Sequence, residues 1–346
     1  MTKSGKPTIK DLAEKAGVSK TAVSFAFNSP ERISSETYQR IMEIAEKMGY
    51  SPDPVARILA KRETKSIGIL LPQSIPETFQ NPYITEILRG IGSVCDREGL
   101  SILVLSPFKG IIAHTILNAA VDGLVIIGVT GTSDVHAVCR QRNMPYVTID
   151  AGQSSDYVNV GIDDKSAARK LTEMLLEHGH RRICVCTLEP ISTDLTDTAS
   201  SETMQARRAG IFEAARHELA ENAGAVYFVD TGATYERAYQ IALQELKRKD
   251  RPTAVCCMAA IQAYGFYRAV RDVGLSIPED VSVVTFDALP MSSVLYPQLT
   301  AVNQPGFEKG EAAAGLLVKL IAGEACRSVV LDSDIWAGNS VAAVNG

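Results

Sequence analysis

Residues 8–28 read TIKDLAEKAGVSKTAVSFAFN, and this stretch contains the signals for two short helices joined by a tight turn. Thr8 and Asp11 form a capping box, in which each side chain satisfies a free backbone N–H group of the other residue. Gly17 can adopt the left-handed conformation that ends a helix, and Ser19 is a second N-cap. Two helices joined by a Gly-Val-Ser turn are typical of a helix-turn-helix unit.

A third helix is predicted to begin after Ser34 and to end at Gly49, so residues 1–52 form a three-helix domain, called the head below. In a helix-turn-helix the N-terminal half of the second helix enters the major groove of DNA. Here that half presents Lys20, which can donate to guanine, and Thr21, which can contact a thymine methyl group. Caps and helical stripes occur in any three-helix bundle, so the spacing alone leaves DNA binding open.

Residues 53–65 connect the head to the rest of the chain. Pro54 cannot continue a helix but can begin one, and a short helix is predicted from Pro54 to Ala60. A helix of about seven residues needs a partner to fold. Leu59 suits insertion between base pairs from the minor groove, and packing against the body is an equally good interpretation from local sequence.

The charge of the chain is unevenly distributed. The 346 residues carry a net charge of −5, which divides into +4 over residues 1–65 and −9 over the remainder. A basic head on an acidic body suggests that only the head meets a polyanion. No apolar run is long enough to span a membrane, no signal peptide is visible, and seven scattered cysteines do not suggest a disulfide framework. These features predict a cytoplasmic, nucleoid-associated protein without membrane contact.

From Ser66 onward, called the body below, β-rich apolar runs alternate with helical patterns, which predicts parallel doubly wound sheets covered by helices on both faces. The predicted strands are 67–71, 102–105, 124–127, 146–149, 183–186, 226–229, 254–257 and 281–286. The predicted helices are 83–97, 165–178, 204–218, 235–247 and 261–273. About 280 residues is large for one sheet, so two lobes are expected.

In doubly wound folds a ligand lies in the crevice outside the carboxyl ends of the strands. That rule selects five candidate effector-binding residues: Gln73, Tyr83, Asp150, Arg207 and Asp287. Carboxylates can bind paired hydroxyls, Arg207 can bind hydroxyls or an anion, and Tyr83 can stack. Each aspartate could equally be an N-cap at a strand-to-helix junction.

Several segments resemble the LacI/GalR family of transcriptional regulators, and together they cover essentially the whole chain in the expected order. They are 8–13, 16–19, 23–28, 49–50 and 54–57 in the head and hinge, and 178–183, 251–254, 277–284, 286–287, 299–302 and 304–305 in the body. The resemblance implies a homodimer that binds a pseudo-palindromic operator in double-stranded DNA. It also implies modulation by a small sugar- or nucleoside-like effector, and no cofactor is expected.

With this resemblance the candidate DNA-binding residues are Thr8, Ser19, Lys20, Thr21, Ser24, Phe25, Asn28, Tyr50, Arg57 and Leu59. The resemblance implies that paired hinge helices insert Leu59 of each chain at the central base step. It also gives Asp150, Arg207 and Asp287 as effector contacts. Phe25 departs from the arginine common at its position in the family, so the base preference should differ.

The predicted pocket also departs from the family. Alanines stand where relatives carry aromatic or polar side chains, at Ala233, Ala259, Ala260 and Ala288. With these contacts missing, we expect an unusual ligand, a weakly bound one, or none.

The resemblance further implies a periplasmic-binding-protein-like body, residues 66–346, whose chain crosses three times between lobes, near Ile162, Ser292 and Ala325. The N-lobe is then expected to comprise residues 66–162 and 293–325, and the C-lobe residues 163–292 and 326–346. Residues 53–65 are expected to be a hinge helix and linker.

Two other functions fit parts of the chain. A solute-binding protein would explain the body but not the head or the missing signal peptide. A doubly wound enzyme, such as a sugar kinase or a nicotinamide-dependent dehydrogenase, would need a glycine-rich phosphate-binding loop, which is absent from the sequence. His178 and His180 are predicted to be structural, as are the cysteines, so no metal site is expected. The sequence therefore predicts a transcription regulator, a repressor, and not an enzyme.

Overall fold

The computed structural model describes residues 7–344 except 54–57, 59–62, 72–74, 107–111, 129–133, 153–155, 189–200, 217–219 and 221–225. The chain divides into two compact units, Met1–Thr64 and Lys65–Gly346. The first unit contains the head, and the second contains the body.

The head consists of α1 (Ile9–Ala16), α2 (Lys20–Asn28) and α3 (Ser35–Met48), with a single 3₁₀ turn at Pro30–Arg32. Its caps are those the sequence predicts. The Thr8 N–H donates to Asp11 Oδ2 over 2.9 Å, and the Ala22 N–H donates to Ser19 Oγ over 3.1 Å. Gly17 and Gly49 end α1 and α3 with φ of 64° and 62°. Leu12, Val23 and Ile41 are fully buried between the helices.

The N-lobe of the body is built on a six-stranded sheet in which every pairing is parallel. Its strands are β1 (Ser66–Leu70), β2 (Ser101–Leu105), β3 (Gly123–Ile127), β4 (Tyr146–Ile149), β5 (Val158–Gly161) and β11 (Val329–Val330), in the order β11-β5-β4-β3-β1-β2. Its helices are α4 (Ile75–Gln80), α5 (Pro82–Glu98), α6 (Ile112–Asn118), α7 (Asp134–Gln141) and α13 (Gly306–Ile321). Helices α5 and α13 share one apolar core with the sheet, and α6 and α7 share another.

The C-lobe repeats this plan. Its strands are β6 (Ile183–Thr187), β7 (Val226–Asp230), β8 (Ala254–Cys257), β9 (Ser282–Phe286), β10 (Thr300–Val302) and β12 (Ile335–Trp336), in the order β12-β10-β9-β8-β6-β7. Only the pairing of β12 with β10 is antiparallel among these described strands. Its helices are α8 (Asp164–Glu177), α9 (Glu202–Ala214), α10 (Tyr235–Leu246), α11 (Ala260–Asp272) and α12 (Pro290–Val294).

Two of the three predicted crossings between the lobes are wrong. The first crossing does lie near Ile162, between β5 and α8. The second lies between β10 and α13 rather than near Ser292, because Thr300–Val302 is buried and completes the backbone hydrogen bonds of the second sheet. The third lies between β11 and β12, beyond the predicted position at Ala325, because Val329–Val330 pairs with β5 in the first sheet.

Helices α5 and α13 approach each other closely, and glycine makes this possible. A Cβ atom on Gly90 would collide with the carbonyl oxygen of Phe307, and one on Gly310 would collide with that of Ile87. A Cβ atom on Gly92, two residues further along α5, would meet nothing within 4 Å. The backbone contact fixes where α13 lies, and therefore where its side chains enter the body.

Candidate functional site

The exposed surface of α2 carries the polar residues predicted to contact DNA. Lys20, Thr21 and Asn28 are exposed, and Ser24 and Phe25 are half-buried. Among these residues Asn28 is engaged locally, because its Nδ2 donates to the Ser24 carbonyl over 3.0 Å. The first turn of α2 therefore presents a lysine ammonium and a threonine hydroxyl to solvent.

The remaining predicted head contacts have structural partners of their own. Thr8 and Ser19 are exposed caps of α1 and α2, so their hydroxyls are already bound to the helix backbone. Tyr50 packs edge-on against Phe27 with 5.7 Å between ring centroids. Such residues can still reach phosphates, but their first role in the fold is to hold the helices in place.

Phe25, which replaces a common arginine, lies against another arginine. The guanidinium carbon of Arg32 lies 4.8 Å from the centroid of the Phe25 ring, which is a cation–π contact. Arg32 is exposed and follows α2 in the 3₁₀ turn. Arg32 was not predicted as a site residue, since nothing in the helical spacing places it beside position 25.

Three predicted site residues lie outside the described residues. They are Arg57 and Leu59 of the hinge segment and Gln73, which follows β1.

Between the lobes lies a cavity of about 180 Å³, at the carboxyl ends of both sheets. Four of the predicted effector residues line it, namely Tyr83, Asp150, Arg207 and Asp287. Ala233 and Ala259 line it as well, together with apolar side chains such as Ile127 and Met258. Side chains from four distant parts of the chain therefore meet at this cavity, where the rule for doubly wound folds predicts a ligand site.

Asp150 and Asp287 occupy equivalent positions in the two lobes. Each directly follows a strand, β4 or β9, and each has a left-handed backbone conformation, with φ of 56° and 68°. A non-glycine residue in this region costs on the order of 1 kcal/mol or more and persists where its surroundings enforce it. In both residues the carboxylate accepts hydrogen bonds from neighbouring groups, and these bonds hold the residue in place.

Asp287 caps a helix, although not the one that follows it. Its Oδ2 accepts the N–H of Ala260, the first residue of α11, over 3.3 Å. The N-cap of α11 is Ala259, which has no side-chain oxygen, and its own N–H donates to Gln262 Oε1 over 3.0 Å. The carboxylate therefore supplies from β9 the acceptor that the N-cap residue lacks.

A hydrogen-bonded chain joins the two aspartates. Tyr83 Oη donates to Asp150 Oδ2 over 2.6 Å, and Lys309 Nζ donates to Asp150 Oδ1 over 2.6 Å. The same ammonium donates to Tyr83 Oη and to Gln304 Oε1, both over 2.8 Å. Gln304 Nε2 in turn donates to Asp287 Oδ1 over 2.6 Å. This set of five residues is called the cleft network below.

Arg207 forms a second buried cluster beside the cleft network. Its Nε donates to Asp164 Oδ1 over 2.8 Å, and its Nη1 donates to the Met258 carbonyl over 2.8 Å. The guanidinium carbon lies 3.7 Å from the centroid of the Phe286 ring. Three contacts of different kinds therefore fix the plane of the guanidinium at the cavity wall.

Burial shifts the ionisation of this site. Desolvation raises the pKa of Asp287 to about 6, although Arg207 and the Ala260 N–H act in the opposite direction. Desolvation also raises the pKa of Asp164 against the attraction of Arg207. Burial and then the nearby Asp150 carboxylate hold the pKa of Tyr83 well above its usual range, so its hydroxyl remains a proton donor.

Three site residues were not predicted from the sequence, namely Asp164, Gln304 and Lys309. The signal for Lys309 was present, because Gly306, Gly310, Ala313 and Leu317 repeat at helical spacing and place position 309 on the buried face of α13. Asp164 and Gln304 carry no comparable pattern, since each lies at a junction between elements.

The histidines and cysteines outside the cleft have structural surroundings. The imidazole of His180 is buried between the hydroxyls of Thr253 and Ser282, each 3.0 Å away, and burial lowers its pKa to about 4. Cys184, Cys186, Cys256 and Cys257 are buried free thiols. Within the described part of the chain no group of three potential metal ligands occurs.

No helix in the described residues is both long and apolar enough to cross a membrane.

Both units match known families. Residues 8–53 match a family described as bacterial regulatory proteins, lacI family, and residues 172–336 match the periplasmic binding protein-like domain. The chain is 30% identical over 332 residues to the HTH-type transcriptional regulator Rv3575c of Mycobacterium tuberculosis, covering 90% of both chains. It is 30% identical to the HTH-type transcriptional repressor PurR of Histophilus somni, covering 91% of this chain and 92% of the repressor.

The fold has a close counterpart among solved structures. The lac repressor dimer, bound to operator and the anti-inducer ONPF, superposes with a TM-score of 0.80 at 24% identity, covering 98% of this chain and all of the repressor chain. The curated relatives carry the names of regulators and repressors, which confirms the prediction that the chain is not an enzyme.

Proposed function

This chain is a DNA-binding transcriptional regulator of the lacI family, and from that premise we propose that it is a repressor that binds a pseudo-palindromic operator as a homodimer. We further propose that a small sugar- or nucleoside-like molecule in the cleft between the lobes changes its affinity for that operator. The observation that carries the second proposal is the cavity where the polar ends of both sheets converge.

The exposed first turn of α2 supports the proposed mode of DNA reading. Lys20 and Thr21 contact base edges in the major groove, and Ser24 lies one turn further along the same helix. Phe25 contacts a thymine methyl group or a sugar, and it orients Arg32 toward the DNA by their cation–π contact. Arg57 and Leu59 act in the minor groove on the evidence of the sequence alone.

An exposed apolar patch supports the homodimer. Met291, Val294 and Tyr296 are 54%, 75% and 97% exposed, and they follow one another in and just after α12. Large apolar side chains clustered on a surface mark contact sites between proteins. Because homodimers use the same patch on both copies, one such patch per chain is sufficient for a two-fold interface.

The cavity supports a compact ligand. Its volume of about 180 Å³ lies below the range of roughly 300–1,000 Å³ common for ligand pockets. Arg207 supplies a fixed donor, and Met258 and Ile127 supply apolar walls. The ligand changes operator affinity only to the extent that it binds the two states of the body with different affinities.

Selection from randomised DNA with the full-length protein tests the DNA reading. The wild type should enrich one palindrome, and its affinity should fall steeply with salt. Exchanging both Lys20 and Thr21 for alanine should abolish the preference, whereas Lys47→Ala, an exposed lysine at the end of α3, should preserve it. If the wild-type protein enriches no palindrome over random sequence, the proposal fails.

A substitution that fills the cavity tests the proposal that an effector binds there. Ala233 is half-exposed at the cavity wall, so Ala233→Tyr is expected to fold and to occupy the ligand space. This variant should bind the selected operator with wild-type affinity but lose any response to a molecule that shifts the wild-type melting temperature. A variant that keeps the full response would exclude the cavity as the effector site.

A further inference from the structure

Lys309 is an unusual residue for the inside of a protein. It is 0% exposed, and its ammonium has three partners at hydrogen-bond distance, namely Tyr83 Oη, Asp150 Oδ1 and Gln304 Oε1. Three partners match the three N–H donors of an ammonium group. Lysine is almost never fully buried unless it is paired, because removing its charge from water is costly. The site is therefore built around this ammonium.

The partners of Lys309 make further hydrogen bonds to other groups of the protein. Asp150 uses its second oxygen to accept the Tyr83 hydroxyl, and Gln304 uses its amide nitrogen to donate to Asp287. The other oxygen of Asp287 accepts the Ala260 N–H. Both oxygens of each strand-end carboxylate are thus engaged without any external molecule.

The cleft network also connects the two lobes. Lys309, Tyr83 and Asp150 belong to the N-lobe, Asp287 belongs to the C-lobe, and Gln304 lies in the segment that crosses between them. A second link lies beside it, since Thr203 Oγ1 of α9 donates to the Asp150 carbonyl over 2.8 Å. The ammonium therefore takes part in holding the lobes together around the cavity.

Arg207 differs from the two carboxylates in that the described residues do not take up all of its donors. Among the described residues its Nη2 has no hydrogen-bond partner, and the residue lines the cavity. Among the described residues, the polar groups of the cavity wall that remain open are thus weighted toward donors, because each carboxylate oxygen of Asp150 and Asp287 already accepts one hydrogen bond from the protein.

We propose that Lys309 is a built-in ligand of the cleft, which takes the donor positions on Asp150, Tyr83 and Gln304 and so determines which molecules the cleft accepts. Polyols that would bind by donating several hydroxyls to Asp150 are disfavoured, because they compete with the ammonium and the Tyr83 hydroxyl for that carboxylate. A compact ligand that offers acceptor atoms to Arg207 is favoured, because Arg207 is fixed as a donor at the cavity wall. This inference rests on the proposed function of the cleft as an effector site.

Chemical rescue in the full-length protein tests the role of the ammonium. Lys309→Ala removes the equivalent of n-propylammonium, so this variant should melt roughly 5–10 °C below the wild type. Adding n-propylammonium chloride should restore the melting temperature in a saturable manner, whereas n-propanol at equal concentration should not. Neither additive should act on the wild type or on Lys319→Ala, an exposed lysine of the same helix. Equal rescue by the alcohol, or none by the amine, would overturn the proposal.

A double-mutant cycle covers the case in which Lys309→Ala does not fold. Lys309→Met keeps the apolar stem but leaves the Asp150 carboxylate without its cation, and Asp150→Asn removes that unpaired charge. The double variant should therefore melt at a higher temperature than Lys309→Met alone. Strictly additive effects of the two substitutions would contradict the proposal.

The specificity part has its own test. D-ribose, a small polyol, should produce no saturable shift in the melting temperature of the wild type. A saturable response to ribose that Asp150→Asn abolishes would show that the carboxylate is available after all. Neither the rescue nor the cycle requires the natural effector, so a failed search for an effector and a failed role for Lys309 are distinguishable.

Discussion

The head and the cleft both contain lysine and arginine side chains, but these side chains have different surroundings in the two regions. In the head, Lys20 and Arg32 are exposed and solvated, and the side-chain caps of α1 and α2 lie within three residues of the groups they satisfy. In the cleft, Lys309 and Arg207 are buried, and their hydrogen-bond partners other than Gln304 lie between 43 and 226 positions away along the chain. A cation in the head is available to an external polyanion, whereas a cation in the cleft is bound to the protein itself.

Charged groups contribute differently to stability in the head and in the cleft. An exposed ion pair contributes about 0–1 kcal/mol, because water and salt screen it. A buried pair changes stability strongly when one partner is removed, because the other charge is left without compensation. Substitutions in the cleft should therefore affect folding, and those on the surface of α2 should affect DNA binding.

The largest expected effect is at Arg207. Arg207→Met leaves Asp164 as a buried carboxylate without its cation, which should lower the free energy of unfolding of the body by about 3–5 kcal/mol. Urea unfolding followed by the fluorescence of the single tryptophan, Trp336 in β12, measures this. Arg169→Met removes the exposed partner of Glu173 and should change the free energy by about 0.5 kcal/mol or less. Equal losses of unfolding free energy in the two variants would show that burial does not make the Arg207 pair more important than the exposed pair.

A pH effect is expected at Asp287. Its pKa is about 6 in the fold against 3.8 as the ordinary value, so the folded body holds this proton more tightly than the unfolded chain. The stabilisation is complete below pH 4 and is lost as the pH rises to 6, a change of about 3 kcal/mol.

Asp287→Asn removes this titration. Across that interval the unfolding free energy of the wild type should fall relative to the variant, and above about pH 7 the difference should be constant. Urea unfolding at a series of pH values checks this. A difference that does not vary with pH would mean that the carboxyl group is not desolvated as the structure indicates.

Alanine substitutions at two glycines of α5 distinguish the effect of helix propensity on stability from the effect of packing between helices. Gly90→Ala places a methyl group against the backbone of α13 and should destabilise the N-lobe by about 1–3 kcal/mol. Gly92→Ala meets open space and should stabilise it by about 0.5–1 kcal/mol, because alanine is the better helix former. Scanning calorimetry should show a lower melting temperature for Gly90→Ala and a higher one for Gly92→Ala than for the wild type. Destabilisation by both would indicate that the helix surface is more crowded than the structure shows.

The smallest effect is expected in the head. Ser34 caps α3, since its Oγ accepts the Thr37 N–H over 3.2 Å, and Ser34→Ala should cost about 1 kcal/mol of local stability. Hydrogen exchange of the α3 amides in the full-length protein reports it. Ser35→Ala, one residue later inside the helix, is the control and should leave the exchange rates nearly unchanged. If both substitutions act alike, capping is not what sets the start of α3.

Much of the fold could be predicted because its signals are local. The three head helices, their glycine stops and most central strands follow from caps and apolar runs a few residues long. The crossings at Ser292 and Ala325 were misplaced because β10, β11 and β12 have two or three residues each, too few to show a period. Their assignment depends on which sheet edge is open to pair with them.

Local patterns of residues were enough to predict an exposed helix suited to duplex DNA and an α/β body with polar groups at its strand ends. A cap, a helical stripe and a buried strand are each properties of neighbouring residues. What those polar groups do depends instead on contacts that form when the chain folds. The fold places Lys309 of α13 against Asp150, which follows β4, and it places the Asp287 carboxylate where it caps α11. Such contacts join residues far apart in the chain, and burial makes each depend on every neighbour that excludes water from it.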